Sequence, residues 1–121
     1  MKRVTMLLAA GFVLLAAASL PVIRAGAQQA VVTDQNVGQM IANAKTSAEH
    51  EAIAAFFDNK AAKAEQDAKN HRAWGNIYGK PTMMSHCNRL AQDNQKEADE
   101  YKALAAGHRE MAKRAGPEAG Q

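Results

Sequence analysis

The chain has 121 residues, 47% hydrophobic, 22% charged and 5% aromatic, with a formal net charge of +3 and one cysteine. That length holds one domain at most. With no internal partner for Cys87, a disulfide-stapled miniprotein is excluded.

Lys2 and Arg3 precede an apolar run from Val4 to Leu20, which Pro21 ends and Ala25-Gly26-Ala27 follows in a small-x-small pattern. Residues 1–27 therefore read as a secretory signal peptide, and the location as periplasmic or secreted, in a bacterium. The run is about 17 residues, the short edge of a membrane span, so an uncleaved anchor is the alternative. Cleavage after Ala27 removes Lys2, Arg3 and Arg24 and leaves 12 basic against 12 acidic residues. The sequence then offers no net charge to attract nucleic acid, and no membrane span is expected after cleavage.

Residues 28–45 read as a flexible lead-in and a short helix from about Asp34 to Ala44, with Thr33 as its cap. Val37, Met40, Ile41 and Ala44 fall on one stripe, weakened by Gly38. Residues 46–115 carry the main pattern. Thr46-Ser47-Ala48-Glu49 matches a capping box, and from there to about Ala73 the chain holds no Gly or Pro. His50, Ile53, Ala54, Phe57, Ala61, Ala64, Ala68 and His71 share one face of this helix. Gly75, Gly79 and Pro81 punctuate a turn at about 74–82. Thr82 or Ser85 then caps a second long helix, whose stripe includes Met83, Cys87, Leu90, Asn94, Ala98, Tyr101, Leu104 or Ala105, His108 and Met111 or Ala112. Gly116-Pro117 ends it, leaving 116–121 as a disordered tail.

These elements predict an all-α fold: a long antiparallel helical hairpin with a short N-terminal helix, able to dimerise into a four-helix bundle. An alanine seam buries little apolar area, so help is expected from the short helix, from a second hairpin in a homodimer, or from a metal.

The histidines are the candidate chemistry. Opposed residues of an antiparallel pair have a nearly constant index sum, and a turn at about 74–82 sets it near 157. His71 then faces His86, and His50 faces His108. His50 and His71 are separated by 21 residues, roughly 31 Å along the axis, so two separate sites are predicted rather than one. The turn-end set is His71, Met83, His86 and Cys87: imidazoles, a thioether and a thiolate, with Met83, His86 and Cys87 at i, i+3 and i+4. Such soft donors favour Cu(I), with zinc second. The far-end set is His50, His108 and Met111, which lacks a thiolate. The alternatives are that the histidines are seam residues, that Met83 and Cys87 fill the bundle end, or that Cys87 forms an interchain disulfide. Trp74 and Tyr78 are expected to cap the open end of the hairpin.

Ala48-Glu49-His50-Glu51-Ala52-Ile53-Ala54, Met83-Met84-Ser85-His86-Cys87 and the segment from Leu104 to Ala112 together resemble a group of small, secreted, Ala-rich helical proteins of bacteria, mostly described as hypothetical. The likeness spans about residues 42–113 and implies the hairpin and export; it implies no activity.

The sequence thus points to an exported metal-binding protein, copper-leaning, for sequestration or transfer, with a metal-transfer partner unspecified. The other reading is a structural or interaction protein of the cell envelope with no ligand. No catalytic constellation occurs: there is no phosphate loop, no nucleophile elbow and no C-x-x-C pair.

Overall fold

Thr46 starts the first long helix through the reciprocal bonds its sequence predicts. In the computed structural model, which describes residues 30–116, Thr46 Oγ1 accepts from the Glu49 N–H at 3.2 Å and the Glu49 carboxylate accepts from the Thr46 N–H at 3.0 Å. Glu49 also accepts from the Lys45 N–H at 2.8 Å. These backbone bonds, that from Lys45 foremost, hold its carboxyl below its ordinary value. The expected signal peptide, and all of the expected tail except Gly116, lie outside the described residues.

Three helices follow in order: α1 over Val37–Asn43, α2 over Ser47–Tyr78 and α3 over Pro81–Ala115, with no strand among the described residues. The two long helices pack against each other. Contacts pair Gly75 with Met84 and Cys87, Phe57 with Tyr101, and His50 with His108, so the helices run in opposite directions. No helix among the described residues is long and apolar enough to cross a membrane.

The turn is shorter than the glycine pattern suggests. Helix α2 continues five residues beyond Ala73, and only Gly79 and Lys80 separate it from α3. Gly79 takes the left-handed conformation, φ 61°, that ends a helix without a Cβ penalty, and its N–H bonds to the Gly75 carbonyl. Pro81 then stands at the first position of α3, where no N–H is needed, so neither Thr82 nor Ser85 serves as the cap. Gly75 is a contact residue rather than a turn residue. A Cβ there would lie 3.1 Å from the Cys87 Cβ, so its absence lets α3 approach closely.

The seam repeats every four and three residues, as in a supercoiled pair. On α2 it buries His50, Ala54, Phe57, Ala61, Ala64, Ala68 and Gly75, with Ile53 beside it; on α3 it buries Cys87, Ala91, Ala98, Ala105, His108 and Ala112. Alanine on both sides brings the helices together, and the larger Leu90 and Leu104, expected in the seam, are displaced to its flank and are about half exposed. One flank is charged: Glu51, Asp58 and Glu65 recur at seven-residue spacing, Asp58 and Glu51 pairing with Arg109 and Glu65 with Lys102.

Helix α1 lies at the end of the pair opposite the turn. Val32, Val37, Met40 and Ala44 pack on the cluster of Ile53, Ala54, Phe57 and Ala105, with Phe56 and Tyr101 alongside. Its start is set differently from the sequence expectation. Asn36 Oδ1 accepts from the Thr33 N–H at 2.7 Å, so Thr33 is held by Asn36 instead of capping the helix with its own side chain. Asp34 is tied to Lys60 at 2.8 Å, and that ammonium lies 5.9 Å from the Phe56 ring centre and 5.8 Å from that of Tyr101.

Candidate functional site

The far-end pair is assembled. His50 stands in the first turn of α2, placed by the Thr46 cap, and His108 lies near the end of α3. Both are buried, at 9% and 5% exposure. Their Nδ1 atoms are 3.2 Å apart and their ring centres 5.4 Å apart. The contact is a hydrogen bond when one imidazole carries its proton on Nδ1 and the other on Nε2. Phe57 stacks on His108 with ring centres 5.9 Å apart, making one wall of the site apolar. Burial, and then the charge His50 would carry, hold His108 below the usual histidine value. Met111 follows one turn after His108 and is 40% exposed.

The turn-end donors stand in different settings. The His50–His108 and Phe57–Tyr101 contacts set the register of the pair, which places Cys87 rather than His86 at the level of His71. His86 is exposed, and its Nδ1 lies 3.1 Å from an Arg89 guanidinium nitrogen on its own helix. His71 sets its ring edge-on to Trp74, with centres 5.0 Å apart, and its Nδ1 is buried without a hydrogen-bond partner among the described residues. Cys87 is buried against Gly75 at 6% exposure, and Met83 is half-buried. No three His, Cys, Asp or Glu side chains converge as a metal-holding group among the described residues. Of this set, His86 faces solvent, whereas Cys87 lies in the seam and His71 is half-buried beside it. The turn is five residues later than expected at the end of α2, yet the register the index sum predicts holds within one residue at His50–His108.

Two features escaped the sequence reading. Arg109 carries ion pairs to Asp58 and Glu51 immediately beside the histidine pair; the seven-residue spacing of Glu51, Asp58 and Glu65 was the available signal. Trp74 and Tyr78 do not close the end of the pair as expected but remain 48% and 53% exposed, with Ile77 at 81%.

Comparison with family models, curated proteins and solved structures returns no match.

Proposed function

We propose that this is an exported, non-catalytic metal-binding protein, copper-leaning, whose ligands are the His50 and His108 imidazoles at the end of the helical pair. The observation that carries this reading is the separation of 3.2 Å between the two buried Nδ1 atoms. Two adjacent nitrogen ligands of a tetrahedral ion with bonds of about 2.0–2.1 Å stand roughly 3.3 Å apart, so the pair fits a metal edge with little movement. Met111 supplies a thioether one turn away, which with two imidazoles favours copper over zinc. Sequestration or transfer suits two protein nitrogens with open remaining positions.

The reading is tested by titrating the reduced protein with Cu(I), and separately with Zn(II), against a competing chelator. One ion per chain is expected, with binding lost in His50→Ala and in His108→Ala but retained in His86→Ala and Cys87→Ser. Ion held by the folded state alone raises its stability by about 2.7 kcal/mol at a hundredfold excess over Kd. Binding that survives both far-end substitutions refutes the assignment.

A second reading is a structural or interaction protein that works as a homodimer in a four-helix bundle. It is favoured by Leu90, Leu104 and Met111, spaced by multiples of seven on α3 and 47%, 46% and 40% exposed. Sedimentation equilibrium separates it from the first: this reading requires concentration-dependent association that metal does not alter.

A further inference from the structure

The charges of this chain are sorted along the rod. Residues 68–92 contain Lys69, Arg72, Lys80 and Arg89 and no Asp or Glu. Because the chain reverses at Gly79 and Lys80, these 25 residues fold back on themselves and make up one end of the helical pair. All four basic side chains are exposed, and none forms an ion pair with a described residue. Elsewhere Lys60, Lys63, Lys102, Arg109 and Lys113 pair with carboxylates, Lys45, Lys96 and Arg114 pair with none among the described residues, and acidic residues are interspersed throughout. Lys69, Arg72, Lys80 and Arg89 lie within about 15 Å of the turn, at 1.5 Å per residue, so their fields overlap there within one to two Debye lengths.

The same end carries Trp74, Ile77 and Tyr78, exposed at 48%, 81% and 53%. The recess among them is lined by those three residues alone, all from α2. It therefore has no wall from α3 with which to grip a peptide. An amphipathic tryptophan and tyrosine beside a protruding isoleucine, backed by unpaired cations, match a fluid anionic surface that closes around the tip. Aromatic rings settle at the headgroup level, the aliphatic side chain reaches the acyl boundary, and the cations face lipid phosphates.

We propose that the turn end of the helical pair is a docking surface for an anionic lipid bilayer, entered by Trp74, Ile77 and Tyr78 and held by Lys69, Arg72, Lys80 and Arg89. Neither part suffices alone: three side chains bury little area and four charges are screened by salt, but together they supply the two signals that peripheral binding requires.

Trp74 is the chain's single tryptophan, so its fluorescence reports on this end specifically. The full chain is mixed with phosphatidylcholine vesicles that contain or lack phosphatidylglycerol, with and without brominated acyl chains. Blue-shifted Trp74 emission, quenched by bromine on the anionic vesicles and reversed by salt, is the expected result. Each cation removed lowers the partition coefficient about fivefold, so Lys80→Glu, which changes two charges, lowers it about 25-fold. Ile77→Ser weakens binding without changing the charge, and its helicity, checked by circular dichroism, is unaltered because the side chain is exposed. Unquenched Trp74 on anionic vesicles, an equal response on neutral ones, or binding indifferent to both variants overturns the proposal. So does an equal Trp74 shift with soluble polyglutamate in place of vesicles, which would reassign this end to an acidic protein.

Discussion

Replacing Phe57 with alanine tests where the stability of this rod resides. Most of the seam is alanine, and among the described residues Ile53 is the one large side chain buried completely. Phe57 is 7% exposed and its ring meets Phe56, Tyr101 and His108 at 5.3, 6.0 and 5.9 Å between centres. Removing a buried phenylalanine costs about 3–5 kcal/mol, lost aromatic contacts included. The described 87 residues support about 4–13 kcal/mol in all at the usual stability per residue. Phe57→Ala is therefore expected to remove about a quarter or more of the total. With a urea slope near 2 kcal/mol per molar, the midpoint falls by about 2 M, read by far-ultraviolet circular dichroism at several protein concentrations. Leu90→Ala, at a half-exposed position, is the control and loses under about 1 kcal/mol. A loss below about 1.5 kcal/mol for Phe57→Ala, or equal losses for both variants, would refute the view that the aromatic cluster under α1 anchors the pair.

The two interior glycines of the long helices should respond oppositely. Gly107 has open space where a Cβ would stand, so Gly107→Ala gains about 0.8–1.0 kcal/mol of helix propensity, seen as a raised thermal midpoint. Gly75→Ala meets the Cys87 Cβ at 3.1 Å and loses that gain, and Gly75→Val destabilises outright. Acid acts through His108. Its folded-state pKa lies below the ordinary 6.5, so the unfolded chain binds the proton more readily. Metal-free stability is flat above about pH 6.5 and falls as the pH drops below it, by at most about 1.4 kcal/mol per pH unit for one proton, until the folded imidazole itself protonates. His108→Gln removes this slope in denaturation curves taken between pH 6.5 and 5; an unchanged slope assigns the acid sensitivity to another group.

Much of the fold was legible because short-range chemistry and the long pattern agreed. The Thr46–Glu49 box starts α2 as expected, and the inward face from His50 to Ala68 is the buried one. The glycine pattern overstates the turn because glycine has two uses. Gly79 ends a helix by its left-handed backbone, while Gly75 sits inside the helix so that another backbone can approach, and sequence does not separate these roles until the partner is placed. Hydrophobicity alone places Leu90 and Leu104 in the seam, yet closely approaching alanine faces leave no room for them. The candidate site divides in the same way. His50 and His108 tolerate a small error in register because both belong to the buried repeat, whereas His86 lies one step off that repeat and faces solvent. The basic end was readable by counting charges in windows; a whole-chain balance averaged it away.

The seating of Cys87 against Gly75 turns the sulfur into a clock. At 6% exposure the thiol is shut away from alkylating reagents, oxidants and a neighbouring chain's cysteine for as long as the two helices stay closed there. Its rate of alkylation in the native protein therefore counts how often the tip splays apart, without unfolding the aromatic end to do so.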